Sequence, residues 1–177
     1  PGAIVPEVRA KIVAAEPTGT ILAVRGLDED SVTIRLPTAG RHNAANALGV
    51  AGAALALGLT AADIVRGLET FPGVGRRLER KGEATGVVVY DDYGHHPTAI
   101  RATIEAVRQR EPGRRVWAVY EPLTYHRTAA LLDAFAEVLA GCAADRLPAE
   151  PVSLDDLLCY RPRTKAGRLA GMRRAGL

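Results

Sequence analysis

A chain of 177 residues is long enough to bury a core and holds either one domain or two small ones. Its 47% apolar and 24% charged residues are ordinary for a soluble globular protein, and its two cysteines, Cys142 and Cys159, make neither a disulfide framework nor a metal spacing. The net charge of +3 misleads: Arg161, Arg163, Lys165, Arg168, Arg173 and Arg174 follow the last acid, Asp156, leaving 17 basic against 20 acidic residues over residues 1–156. With 5% aromatics and its excess base confined to a tail, the chain lacks the basic stripe and stacking platforms of a nucleic-acid binder. Its longest apolar stretch, residues 44–59, is Ala- and Gly-rich and too short for a bilayer, so no membrane span or leader is expected and the reducing cytoplasm is the expected compartment.

Residues 1–16 carry little signal; 8–15 suit a strand or a helix fragment. Residues 20–25 and 31–36 read as two strands of a hairpin, the second alternating Val32, Ile34 and Leu36 with Thr33 and Arg35, and the pair is expected to end a larger sheet. A small-residue helix follows to about residue 57. At its start His42 or Asn43 is placed as a cap, and Asn46, one turn on, puts a second amide on the same face. Thr60-Ala61-Ala62-Asp63 resembles a capping box and starts a second helix through about residue 69. Phe71-Pro72-Gly73-Val74-Gly75 breaks the pattern and marks a domain boundary. Arg76 and Arg77 after it are either a solvated linker or a bidentate grip on phosphate when two domains close.

From Gly86 the grammar is regular. Residues 87–90 form an apolar strand that opens into Tyr90-Asp91-Asp92-Tyr93-Gly94-His95-His96-Pro97, with Pro97 at a helix start that tolerates its missing N–H. A helix over about 98–110 carries the stripe Ile100, Ile104 and Val107, and Pro112-Gly113 breaks it. A strand over 116–120, a loop over 121–127 and a helix over about 128–139 complete a βαβα pattern, which predicts neighbouring parallel strands joined by a right-handed crossover. Both strands then end at one sheet edge, bringing the octet and Tyr125-His126-Arg127 to one crevice. Paired Asp residues alone are often turn chemistry. Adjacent His residues without further ligands do not make a zinc set, so a metal hydrolase on Asp91, Asp92, His95 and His96 carries little weight and no metal ligands are assigned. A polar cluster this dense between an apolar strand and an amphipathic helix instead points to a binding site. After Cys142 the pattern fails, and residues 146–177 read as an atypical basic tail.

Four motifs in order, residues 40–48, residues 71–79, Asp91-Asp92-Tyr93-Gly94-His95-His96-Pro97-Thr98, and Pro122 with Tyr125-His126-Arg127-Thr128, resemble the Mur ligases, and among them the branch adding L-alanine to UDP-N-acetylmuramate. The resemblance implies an α/β chain: the end of a central ATPase-type domain (1–72), a linker (73–82), a truncated Rossmann-like C-terminal ligase domain with parallel strands (83–145) and the tail. It also implies Mg-ATP-dependent peptide-bond formation in peptidoglycan synthesis through an acyl phosphate. By the same resemblance His42, Asn43 and Asn46 lie at the adenine side of ATP, Arg77 contacts its phosphates and Asp92 its ribose. His95, His96 and Arg127 are the catalytic group of the amino-acid site, with Tyr93 and Tyr125 beside the substrate. The second loop reads Glu121-Pro122-Leu123 where the family usually reads Gln-Pro-His, which removes a polar group from the amine pocket and resembles the ligase that attaches recycled tripeptide. The family's Gly-Lys-Thr phosphate loop is not among these residues, whose lysines are Lys11, Lys81 and Lys165. The chain therefore reads as a fragment, its end open to a frameshift reading, that holds little of its ATP and Mg2+ alone and does not turn over; a non-catalytic nucleotide- or amino-acid-binding remnant is the competing class.

Overall fold

Alternating apolar residues in β2 (Gly19–Arg25) and β3 (Val32–Leu36) turn Leu22, Val24, Ile34 and Leu36 to one face of an antiparallel meander completed by β1 (Arg9–Glu16), in the order β1-β2-β3. These elements come from a computed structural model that describes residues 8–121 and 124–143. The apolar face is covered by α1 (Arg41–Ala56) and α2 (Ala61–Glu69), through Ala44, Ala47, Ala51 and Ile64. The small α1 residues recur at three- and four-residue spacing, which brings the helix close to the sheet. Leu22, Val24 and Ile34 are each 1% exposed, and burying each such side chain contributes about 1.5–3 kcal/mol. As its sequence predicts, α2 is capped by Thr60, whose hydroxyl accepts the Asp63 amide at 3.2 Å.

The second half begins with a hairpin. β4 (Glu79–Ala84) and β5 (Val87–Asp91) pair antiparallel, and the two-residue loop Thr85-Gly86 has φ of 48° and 79°. Positive φ at both loop residues matches the right-handed strand twist and closes the hairpin tightly. α3 (Pro97–Arg110) follows, then α4 (Tyr125–Ala130) and α5 (Leu132–Ala143). Ile100 and Ile104 of α3 pack on Phe135, Val138 and Cys142 of α5. A third cluster, Ala39, Leu78 and Ala106, joins the two halves.

Several expectations are corrected. The sheets are antiparallel, not parallel: β5 is paired to β4, and residues 116–120 adopt no strand among the described residues. Val116 and Tyr120 pack against the α3–α5 cluster while Trp117 and Val119 face outward, so the apolar run serves a helix surface instead of a strand ladder. β4 escaped notice because Glu-Arg-Lys-Gly-Glu-Ala has no apolar alternation; it is an edge strand held by backbone pairing, and it begins inside the stretch expected as linker. Among the described residues up to 70 there is no complete ATPase-type nucleotide domain, only the meander and its two helices. Finally, the helix expected over 128–139 is two helices, broken at Leu131, whose φ of −118° and ψ of 21° leave the helical region.

Candidate active site

The turn between β5 and α3 is built around one carboxylate. Asp92 Oδ1 accepts the Gly94 amide at 2.7 Å and Oδ2 accepts the Leu78 amide at 2.9 Å. A Cβ on Gly94 would lie 2.8 Å from Oδ1, so a larger residue here makes the Asp92 carboxylate shift from its place in the turn. The Tyr93 amide donates to the Arg76 carbonyl at 2.8 Å, and Arg76 Nε lies 3.5 Å from Asp91 Oδ2. The linker is thus tied to the strand end.

That linker is held in an unusual shape. Arg76 and Leu78 have φ of 59° and 51°, left-handed conformations that cost a non-glycine residue roughly 1–2 kcal/mol each. Glu79 Oε2 accepts the Arg76 amide at 2.8 Å, Asp92 takes the Leu78 amide, and the Leu78 side chain is buried against Ala39 and Ala106. The result presents two guanidiniums to one ring: Arg76 lies 5.1 Å and Arg77 5.9 Å from the Tyr93 centroid. Glu79 is itself held below the usual carboxylate range by Lys81 and by the Arg76 amide. Sequence reasoning missed its role, although an acid three residues after a turn amide is a recognisable capping spacing.

The two imidazoles are not equivalent. His95 stands edge-on to Tyr93 at 5.4 Å, with Nδ1 3.2 Å from the Tyr93 carbonyl. A carbonyl only accepts, so this contact places the proton of the neutral ring on Nδ1 and leaves the Nε2 lone pair open. His96 Nδ1 instead accepts the Thr98 amide at 3.3 Å and caps α3, which puts its proton on Nε2. One ring offers an acceptor and the other a donor.

The remaining expected residues are dispersed. At the start of α1, Asn43 Nδ2 donates to the Ala39 carbonyl at 2.7 Å, while His42 Nδ1 is buried with no hydrogen-bond partner among the described residues. Asn46 is exposed one turn on, while Asn43 is half-buried. Arg127, in α4, lies in the field of Tyr120; burial pushes the Tyr120 phenol up while Arg127 and Thr128 oppose the shift. Tyr120 stacks on Phe135 at 5.0 Å and was not foreseen as part of the site. None of the hydrogen bonds or ring contacts of His95 and His96 described above reaches Arg127. Pro122, Leu123 and the Tyr125 side chain lie outside the described residues. Among the described residues no group of three or more His, Cys, Asp or Glu side chains is placed to hold a metal ion, and no helix is long and apolar enough to cross a membrane.

Against known proteins, residues 76–149 match the family described as Mur ligase, glutamate ligase domain. The chain is 49% identical over 124 residues to the UDP-N-acetylmuramate–L-alanine ligase of Desulfosudis oleivorans, covering 70% of this chain and 27% of that protein. It is 44% identical over 130 residues to the ligase of the same name from Salinibacter ruber, covering 73% and 27%. The chain spans about a quarter of the length of these curated relatives. Two solved structures share its fold. The UDP-N-acetylmuramate-alanine ligase of Thermotoga maritima aligns with 96% of this chain and 46% of its own at TM-score 0.65 and 19% identity. The UDP-N-acetylmuramoylalanyl-D-glutamyl-2,6-diaminopimelate–D-alanyl-D-alanyl ligase of Acinetobacter baumannii aligns with 96% and 38% at TM-score 0.60 and 26% identity. The Asp92-centred turn with its arginines falls inside the matched region: residues 76–149 belong to the Mur ligase family, and the relatives at 44–49% identity extend that likeness over about seven tenths of the chain.

Proposed function

We propose that this chain is the C-terminal portion of a cytoplasmic, ATP-dependent ligase that joins L-alanine to UDP-N-acetylmuramate in peptidoglycan synthesis. The observation that carries the reading is the Arg76–Arg77–Tyr93–His95 cluster at the start of α3, inside a segment whose relatives at 44–49% identity bear that enzyme's name. In this reading ATP phosphorylates the muramate carboxylate. The amine of L-alanine then attacks the acyl phosphate and expels inorganic phosphate. Arg77 stabilises charge on the transferring phosphoryl group, as positioned cations do in such reactions. The open Nε2 of His95 accepts a hydrogen bond from the incoming amine, and Arg127 pairs with the amino-acid carboxylate.

The nucleotide fits in part. The buried, unpartnered His42 Nδ1 and the free Asn43 Oδ1 suit the polar edge of a base, and Asp92 oxygens retain lone pairs for ribose hydroxyls. Among the described residues no group of three or more His, Cys, Asp or Glu side chains would hold Mg2+ by itself, and no step is routed through it. These 177 residues, without a Gly-Lys-Thr loop, are expected not to turn over by themselves.

A chimera tests the reading. Residues 76–149 replace their counterpart in the Desulfosudis oleivorans ligase, and phosphate release is followed with ATP, UDP-N-acetylmuramate and L-alanine. Turnover that needs all three supports it; a folded chimera that binds UDP-N-acetylmuramate but releases no phosphate overturns it. Glu121 and Leu123 favour a second reading, in which the amine is a murein tripeptide. Preference for tripeptide over L-alanine in the same assay selects that alternative.

A further inference from the structure

The last turn of α3 carries an amide that touches the N-terminal half in four places. Gln109 Nε2 lies 3.0 Å from the Glu16 carbonyl, 2.8 Å from the Gly19 carbonyl and 3.2 Å from Thr20 Oγ1, while its Oε1 accepts the Gly40 amide at 2.9 Å. Thr20 Oγ1 is free to accept because it donates to the Thr38 carbonyl at 3.2 Å. The neighbouring Arg110 donates through Nη2 to the Pro37 carbonyl at 2.9 Å.

The Gly40 bond has a particular role. Gly40 is the N-cap of α1, with φ 94° and ψ 143°, and has no side chain with which to cap. In a capping box the N-cap amide is satisfied by a Glu or Gln three residues into the same helix. Here that position is Asn43, whose side-chain nitrogen is committed to the Ala39 carbonyl. The acceptor arrives instead from another helix, 69 residues along the chain.

The approach is close enough to exclude other residues. A Cβ on Gly40 would fall 2.8 Å from the Ala106 Cβ and 2.7 Å from the His42 ring, and both Ala39 and Ala106 are fully buried. Only a bare backbone and a methyl let α3 come this near. Gln109 then satisfies the polar backbone that the contact desolvates.

We infer that Gln109 is a positioning residue, a clasp that caps α1 from α3 and fixes the His42–Asn43 helix start against the helix whose other end carries His95. α3 spans 14 residues, about 21 Å at 1.5 Å per residue, so it acts as a strut between the two groups. The clasp stands on its hydrogen bonds alone; its bearing on the distance between base and phosphate contacts rests on the ligase reading.

Nuclear magnetic resonance on the labelled 177-residue chain tests it, with no substrate present. Gln109→Met keeps the volume and removes every hydrogen bond. It is expected to speed Gly40 amide exchange at least ten-fold and to weaken methyl contacts from Ala39 to Leu78 and Ala106. Contacts within each half, Leu22 to Ile34 and Ile104 to Phe135, persist. Unchanged Gly40 exchange and unchanged cross-half contacts overturn the clasp. Gln109→Glu retains the acceptor for Gly40 and loses the amide donors. Ionised, it sets a carboxylate oxygen against the Glu16 and Gly19 carbonyls, whereas protonated, below about pH 4, it keeps one donor beside the acceptor; it is expected to restore slow Gly40 exchange only at that low pH, a rescue that mere filling of space does not give. Gly40 exchange in Gln109→Glu as fast at low pH as in the methionine variant overturns the clasp, and the glutamate variant against the parent chain at the same pH decides the matter if the methionine variant fails to fold. Failure of the ligase chimera leaves these outcomes untouched.

Discussion

The Leu78 amide donates to Asp92 Oδ2 at 2.9 Å, and that bond joins a strained linker to the turn that opens α3. Removing it leaves Leu78 in a left-handed conformation with an unpaired amide. Asp92→Ala also orphans the Gly94 amide, at about 1.5–3 kcal/mol for each hydrogen bond to a charged group. The substitution is expected to lower the urea midpoint without changing the slope, and to speed Leu78 amide exchange. Asp92→Asn, which keeps one acceptor oxygen, costs about half as much. Equal loss in both variants rejects the two-bond account.

Tyr90 sets the alkaline limit of this region. Its hydroxyl donates to Glu111 Oε1 at 2.7 Å, and burial first, then the Glu111 bond and charge, push its pKa up from the ordinary phenol value. A group whose folded pKa is raised contributes stability that is complete below its unfolded pKa, about 10, and lost as pH rises through the higher folded value. Tyr90→Phe is therefore expected to cost about 0.5–1.5 kcal/mol at neutral pH and to flatten the decline above pH 10. Urea midpoints from pH 7 to 11 check it; a variant that declines as steeply as the parent refutes the assignment.

Helix α2 gives the acid counterpart. Asp63 is lowered from the ordinary carboxylate value, first by the hydrogen bond from Thr60, whose hydroxyl lies 2.7 Å from Oδ2, and then by Arg66. A depressed carboxylate contributes stability above its unfolded pKa, about 3.9, that is lost as pH falls through the folded value. Thr60→Ala removes this bond and the helix cap together. Cap loss is worth about 1 kcal/mol, and the Asp63 carboxyl carbon is expected to titrate at higher pH in the variant. An unmoved titration means that Thr60 serves the backbone alone.

What was legible in the sequence follows the physics of each signal. The β2–β3 hairpin, α1, α2 and α3 announce themselves because their periodicity records which face meets a core: Leu22 and Ile34 at period two, Ile100 and Ile104 at a helical turn; β1 carries too little alternation to be told from a helix fragment. The capping of α2 by Thr60 and the Pro97 start of α3 are local side-chain chemistry and are equally readable. β4 is not, since Arg80, Lys81 and Glu83 pair with solvent-facing charges and the strand is tied to β5 through the backbone ladder. Residues 116–120 mislead in the opposite sense, because Val116 and Tyr120 obey strand alternation while packing on a helix pair. Within the site, the motif residues are visible one by one, but Gln109 and Glu79 act on distant or neighbouring amides, and amides leave no mark on side-chain pattern.

Arg77 carries the prediction closest to chemistry. Its backbone amide is fixed by the Val74 carbonyl at 3.1 Å, the residues on both sides are left-handed, and its guanidinium faces the Tyr93 ring from 5.9 Å. A side chain held this way at its root and left free at its tip is suited to meet a phosphate bidentately, whereas Arg76 is already engaged by Asp91 at 3.5 Å. In the chimera, Arg77→Ala is expected to lower kcat/KM for ATP about 10–100-fold, the equivalent of one or two hydrogen bonds to a charged group, with KM for L-alanine little changed. Arg77→Lys recovers part of the charge but not the fork, so it falls between the two. Tyr93→Leu removes the ring against which both guanidiniums rest, and its smaller loss, a few-fold, adds to nothing in an Arg77→Ala background if the ring acts through Arg77. Fully additive losses in the double variant show instead that Tyr93 meets the substrate directly.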